Sequence, residues 1–87
     1  MPRVYVPTSL RSYTKNRAVV EVSGATLEAL TRELDRRFPG MRFRMVDEQD
    51  RIRPHIKVFI NEVQVPDLAA ALGPQDEVSI VQAFSGG

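Results

Sequence analysis

The chain of 87 residues contains no cysteine, no tryptophan and only one histidine. Without cysteine it can form neither a disulfide nor a thiolate metal site, and it offers no thiol nucleophile of its own. A Ser-His-Asp arrangement or a site with several histidine ligands would have to be built around His55 alone, so we expect a structural role for that residue. These absences disfavour an enzyme with its own thiol, histidine or zinc chemistry.

Long apolar runs and a strong net charge are also missing. No stretch approaches the roughly 18 apolar residues of a membrane span, and nothing near the start resembles a secretory signal, so we expect a cytoplasmic protein with no membrane partner. The formal net charge of +1 gives no bulk attraction to nucleic acid. Six basic residues lie between Arg36 and Arg53, but Asp47, Glu48 and Asp50 interrupt them. This mixture favours a solvated, self-compensating loop without a bound metal over a nucleic-acid patch.

What remains is the composition of an ordinary globular domain, with 43% hydrophobic and 26% charged residues. A chain of this length forms one domain, here residues 1–87, with a core too small to enclose much of an active site. A partner must therefore supply whatever catalysis the protein needs.

Five short segments have the alternation or the β-branched composition of strands. They are residues 3–7, 18–22, 55–60, 63–65 and 77–82. Between the second and the third, a period of 3.6 places Leu27, Leu30 and Leu34 on one stripe of a helix. Thr26 can cap the start of this helix, and Pro39 and the glycine after it stop it. The order ββαβββ predicts an α+β fold, one five-stranded mixed sheet covered by one main helix.

Two connecting segments are less clearly patterned. Residues 41–54 are polar and mixed in charge, which predicts a loop with a short turn. Asp67 is expected to cap a brief helical turn over residues 68–72 before the last strand begins.

The last two residues are Gly86 and Gly87. Glycine has no Cβ, so such a tail can enter a narrow channel in another protein. A terminal carboxylate, with a pKa of about 3.3 to 3.7, is an anion at neutral pH and can attack the α-phosphate of ATP. Chain ends are often frayed and rich in glycine, so the tail alone does not establish a function.

The strand order, the approach to the last strand at residues 75–80 and the final Gly86-Gly87 together resemble the ubiquitin-like β-grasp proteins of the MoaD/ThiS sulfur-carrier group. The resemblance spans the chain, and residues 51–63 are similar to the larger members, which include CysO and the archaeal ubiquitin-like modifiers. It implies a β-grasp domain with a flexible tail at residues 83–87. Gln82 and Ser85 depart from the proline and alanine common in such tails.

The resemblance also implies a reaction cycle. A MoeB/ThiF-like adenylating enzyme would use ATP to adenylate the Gly87 carboxylate, and a sulfur donor would then replace AMP to give a thiocarboxylate. A sulfur-accepting synthase would take the sulfur. The chain would bind no cofactor and would be a co-substrate or a small synthase subunit, as in molybdopterin synthase, and not itself an enzyme.

A docking surface follows from the expected strand arrangement. If strands one, five and three lie side by side, Tyr5, Val81 and Phe59 become near neighbours on the face that the helix leaves uncovered. Phe84 could add an anchor on the tail. A partner protein could bind to such a cluster beside a reactive tail, although ordinary cross-strand packing would explain the cluster equally well.

Three functions remain open from the sequence. The first is a sulfur carrier for cysteine, for another metabolite or for molybdopterin. The second is a protein modifier joined through Gly87 to lysines of other proteins. The third is a β-grasp interaction module whose tail is inert.

Overall fold

The computed structural model describes residues 1–83. A one-turn 3-10 helix at Thr8–Leu10 follows the first strand, and two α-helices lie between the second and third strands: α1 (Leu27–Arg37) and α2 (Met41–Met45). The five strands are β1 (Arg3–Tyr5), β2 (Val19–Glu21), β3 (Ile56–Ile60), β4 (Val63–Val65) and β5 (Glu77–Gln82). The predicted α+β fold, with five strands and one main helix, is confirmed.

The strands form one mixed sheet in the order β2-β1-β5-β3-β4. Only the central pair, β1 and β5, is parallel, whereas the other three pairs are antiparallel. Because β1 and β5 run in the same direction, their C-terminal ends lie at the same end of the sheet. We call this end of the sheet the exit end. There the N–H of Ala83 donates to the carbonyl of His55 at 2.8 Å. The ladder between β3 and β5 therefore continues to the last described residue.

Helix α1 begins and ends as its sequence predicts. The Thr26 side chain accepts a hydrogen bond from the N–H of Ala29 at 3.1 Å and so caps the first turn. Leu27, Leu30 and Leu34 are fully buried against one face of the sheet, the inner face. The helix stripe and the inward residues of the strands thus form the core.

The loop predicted for residues 41–54 is wrong over its first part, which forms α2. Met41 and Met45 are at most 1% exposed and extend the core beyond α1, and Val46 after them is buried as well. A helix of five residues is too short to show a 3.6-residue period, and the arginines between the methionines make the segment look polar. The average polarity of α2 therefore gives no indication that Met41 and Met45 are buried.

Arg42 joins α2 to its surroundings. Its guanidinium lies 3.3 Å from a carboxylate oxygen of Glu28 and 3.2 Å from one of Asp50. Its Nε donates to the hydroxyl of Thr31 at 3.1 Å, and the side chain is only 16% exposed. One arginine therefore links α1, α2 and the following loop.

The helical turn predicted for residues 68–72 is also wrong, because the segment forms a turn without a helix. The Asp67 carboxylate accepts from the N–H of Ala69 at 2.9 Å, so this residue does cap a turn. The carbonyls of Leu68 and Ala70 accept from the first two N–H groups of α1 at 3.0 and 2.9 Å. These carbonyls therefore cap the N-terminus of α1 and do not take part in a separate helix.

Candidate functional site

The sheet face opposite α1, which we call the open face, carries the predicted docking residues. Five outward residues pair in succession across all five strands, in the order Val19, Tyr5, Ser79, Phe59 and Gln64. The predicted placement of strands one, five and three side by side is therefore correct. Tyr5 and Phe59 nevertheless do not adjoin each other, because Ser79 pairs with both and lies between them.

Val81 lies one step closer to the exit end than this row. It pairs with Lys57 and is 42% exposed, whereas Tyr5 and Phe59 are half-buried. The three predicted residues thus share the open face, with Val81 nearest to the start of the tail. Their role in docking stays a prediction.

The remaining predicted site residues, Phe84, Gly86 and Gly87, lie outside the described part of the chain. The chain enters that part from Gln82 and Ala83 at the exit end. The site is therefore built from the described residues that surround this point.

The open face changes character along the strands. At the end far from the exit, the Tyr5 hydroxyl donates to Glu77 at 3.2 Å and the Arg3 guanidinium lies 3.4 Å from the same carboxylate oxygen. Towards the exit end, Val81 presents an apolar surface beside its cross-strand neighbour Lys57. A partner that approaches the tail therefore meets an apolar side chain next to a lysine on this face.

A groove of about 390 Å³ opens at the exit end. The sequence predicts only a turn after β1 and gives no sign of the groove, because a groove between a turn and a distant strand leaves no local pattern. The 3-10 helix brings this segment against the end of β5. The lining residues are Pro7, Thr8, Ser9, Arg11, Ile80, Val81 and Gln82.

Gln82, one of the departures from the family pattern, has a defined partner in this groove. The Ser9 hydroxyl donates to its side-chain oxygen. Arg11 is fixed beside it, because its Nε donates to the carbonyl of Val6 at 3.1 Å. The loop after β1 is thereby tied to Gln82, the last residue of β5.

The acidic residues of the loop after α2 have structural partners. Asp47 accepts hydrogen bonds from the backbone N–H groups of Arg51 and Gln49 at 3.0 and 2.8 Å. These bonds, the one from Arg51 above all, lower the pKa of its carboxyl below the ordinary value. Within residues 1–83 no three His, Cys, Asp or Glu side chains are grouped to hold a metal ion. In the same range no helix is long and apolar enough to cross a membrane.

The model of the ThiS family matches residues 4–87, which is nearly the whole chain and includes the final glycines. The chain belongs to the ThiS family. It is a ubiquitin-like β-grasp protein of the ThiS/MoaD/CysO type, as the sequence predicts.

Similar proteins agree with this assignment. The sulfur carrier protein CysO of Mycobacterium tuberculosis is 32% identical over 89 residues, with 97% of this chain and 96% of that protein covered. A chain in the crystal structure of the Amycolatopsis orientalis BexX/CysO complex is 30% identical, with a TM-score of 0.93 and full coverage of both chains.

A more distant structure shows the fold alone. The small archaeal modifier protein 1 of Methanosarcina acetivorans superposes with a TM-score of 0.82 at 20% identity, over 99% of this chain and 95% of that one. The β-grasp architecture is therefore shared beyond the sulfur carriers named above.

Proposed function

We propose that this ThiS-family chain is a sulfur carrier whose Gly87 carboxylate is adenylated by a MoeB/ThiF-like enzyme and converted to a thiocarboxylate. The observation that carries the proposal is the family match through Gly87, together with a last strand that ends at the exit end, where Ala83 still bonds to His55. The sulfur carriers named CysO, which align over almost the whole chain, support it.

The chemistry assigns one atom group to the carrier. A carboxylate oxygen of Gly87 attacks the α-phosphorus of ATP and pyrophosphate leaves, which gives an acyl adenylate. Sulfide supplied by a donor then attacks the acyl carbon, the bond from that carbon to the phosphate-bound oxygen breaks, and AMP leaves with this oxygen to give the thiocarboxylate and a released proton. Because the chain has no cysteine, a persulfide on a thiol of its own cannot carry the sulfur, which agrees with a thiocarboxylate at Gly87.

The reach of the tail defines where a partner must bind. Four residues follow Ala83 in the sequence. Four residues span at most about 14 Å even when they are fully extended. An active site that receives Gly87 must therefore lie within that distance of the exit end, and its enzyme must cover the neighbouring surface. The groove and the part of the open face around Val81 are the surfaces available there.

We infer that ATP and the sulfur donor belong to the partner enzymes, so the chain is a co-substrate. The crystal structure of the Amycolatopsis orientalis BexX/CysO complex contains a CysO protein in complex with BexX, which supports a partner-dependent function. The acceptor is a CysO-like cysteine pathway, another metabolite pathway or a MoaD-like molybdopterin pathway. A synthase then takes the sulfur from the thiocarboxylate.

The adenylation step is tested by ATP-pyrophosphate exchange with a MoeB/ThiF-type enzyme from the same genome. We expect exchange with the full chain and none after deletion of Gly86 and Gly87, because the deleted chain ends at a serine with a side chain. Exchange that is equal for both chains would contradict the proposal and favour a module with an inert tail. A folded far-UV spectrum of the deleted chain serves as the control.

The docking surface is tested by the affinity for the same enzyme. We expect weaker binding by Phe59→Ser and Phe84→Ser. Val63→Ser should bind normally, since Val63 is 66% exposed and lies at the opposite end of the sheet. Unchanged affinity in the first two variants would remove the open face from the interface.

A modifier would begin from the same adenylate but would end with an isopeptide bond between Gly87 and a lysine of another protein. Immunoblots of a cell lysate separate the two outcomes. Bands of higher mass that resist thiols and vanish on deletion of Gly86 and Gly87 would assign the modifier function in place of the carrier function.

A further inference from the structure

We propose a second binding surface beside the exit end, formed by Phe43, Arg44, Arg53 and His55, which holds acidic side chains of the enzyme that adenylates the tail. We call it the Arg53 surface. The inference rests on the proposed function, since it assigns the charge of the enzyme surface that surrounds the tail.

The Arg53 surface adjoins the start of the tail. The carbonyl of His55 accepts from Ala83 at 2.8 Å, and the N–H of Arg53 donates to the carbonyl of Met45 at 2.9 Å. These two bonds place the end of α2 and the start of β3 next to the residue from which the tail departs. The four residues of the surface line a cavity of about 330 Å³.

Arg53 is held in one orientation. Its guanidinium carbon lies 4.5 Å from the centre of the Phe43 ring, and its Nε donates to the carbonyl of Phe43 at 2.7 Å. This arrangement occupies Nε and leaves the terminal amino groups available to a ligand. A guanidinium fixed on an aromatic face loses less entropy on binding, and its planar fork suits a carboxylate.

Neither arginine of this surface forms a close ion pair within residues 1–83, although the charge of Arg53 contributes, after the hydrogen bonds from Arg51 and Gln49, to the lowered pKa of Asp47. Among residues 1–83, Arg42 pairs with Glu28 and Asp50, and Arg51 pairs with Asp47. The ion pairs of the same region include neither Arg44 nor Arg53. The self-compensating loop expected from the sequence is therefore confirmed for Arg42 and Arg51, whereas Arg44 and Arg53 have no close acidic partner in this range.

An acidic protein surface fits this site better than other anions. Two arginines without a close ion pair, on a chain of net charge +1, make a small patch, whereas nucleic acids are bound through extended basic surfaces. Phe43 is 56% exposed beside these charges, and an exposed aromatic ring with a neighbouring arginine is typical of protein interfaces. The occupant is therefore an Asp or Glu side chain next to the channel that receives the tail.

The test compares two double variants with the same change in net charge. Arg44→Gln with Arg53→Gln alters the Arg53 surface, and Arg32→Gln with Arg36→Gln alters exposed arginines of α1. Kd for the MoeB/ThiF-type enzyme is measured without ATP at 50 and 300 mM salt, and kcat of adenylation is measured at saturation. We expect about tenfold weaker binding at low salt for the first variant only, with a smaller salt dependence and an unchanged kcat.

The outcomes separate this inference from the proposed function. Equal Kd values and salt dependence for wild type and the Arg44 and Arg53 variant, with normal adenylation of wild type, would overturn the inference alone. Binding without adenylation of wild type would contradict the proposed function, and an effect of the double variant on that binding would still support the surface. An effect on binding to a single-stranded oligonucleotide, with Kd for the enzyme unchanged, would overturn the acidic-protein assignment.

Discussion

The inner and open faces of the sheet differ in burial although valine occurs on both. On the inner face Val4, Val58 and Val78 are at most 2% exposed, whereas Val19 and Val81 on the open face are each 42% exposed. Helix α1 covers the first face, and no other described element of the chain covers the second. The fold therefore depends on one face, and the other is available to a partner.

The largest effect on the free energy of unfolding is expected from a substitution in the core beneath the inner face, compared with one on the open face. Leu34→Ala removes a fully buried side chain and leaves a cavity, so we expect a loss of about 3 kcal/mol in the free energy of unfolding. Val81→Ala on the open face should change it by about 0.5 kcal/mol or less. Urea unfolding measures both. Equal losses would show that the open face contributes to stability as the inner face does.

A second prediction concerns how closely α1 packs against the backbone at Gly24. A Cβ at Gly24 would lie 2.7 Å from the backbone nitrogen of Leu30, so Gly24→Ala must displace the helix and should cost about 2 kcal/mol. At Gly73 the nearest atom to a new Cβ is 3.7 Å away, and Gly73→Ala should be neutral or slightly stabilising. A loss of similar size in both variants, measured by thermal unfolding, would contradict this packing.

The third prediction tests the attachment of α2. Arg42→Gln removes the ion pairs with Glu28 and Asp50, and we expect a loss of about 1.5 kcal/mol because the side chain is only 16% exposed. Arg32→Gln should cost less than about 0.5 kcal/mol, since that arginine is 60% exposed. Equal values from urea unfolding would mean that Arg42 acts only as a surface charge.

The smallest expected effect is a change in how the free energy of unfolding depends on pH, and it concerns Asp76. The N–H of Gly73 and then the side chain of Asn61 donate to Asp76 and lower the pKa of its carboxyl. A lowered pKa adds stability that is present above the ordinary Asp value of about 3.9 and is lost as the pH falls through the folded value. Unfolding of Asp76→Asn should therefore depend less on pH in that acidic window than unfolding of wild type. If the free energies of unfolding of the two proteins changed equally with pH in that window, the lowered pKa of Asp76 would be contradicted.

Much of the fold could be predicted from the sequence because periodicity and capping act locally. The stripe of α1, its Thr26 cap and, to within one residue, the positions of β3 and β5 are predicted correctly. Helix α2 is not predicted because one and a half turns carry too little periodicity. The turn after Asp67 is misassigned because its carbonyls bind a helix distant in sequence.

The candidate site was predictable only in part, for the same reason. Alternation assigns Tyr5, Phe59 and Val81 to one face, but the register between strands, which places Ser79 between the aromatic residues, has no local signal. The ion pairs of Arg42 and the contact of Arg53 with Phe43 likewise depend on contacts between segments. Sequence charge alone could not distinguish these arginines.

The carrier function is tested most directly by the intact mass of the full chain after incubation with a MoeB/ThiF-type enzyme of the same genome, ATP and a sulfide source. We expect a gain of about 16 Da, the replacement of oxygen by sulfur at a terminal carboxylate that is otherwise a free acid, and no gain after deletion of Gly86 and Gly87. An unchanged mass of the full chain, with a known carrier converted in parallel by that enzyme, would contradict the carrier function.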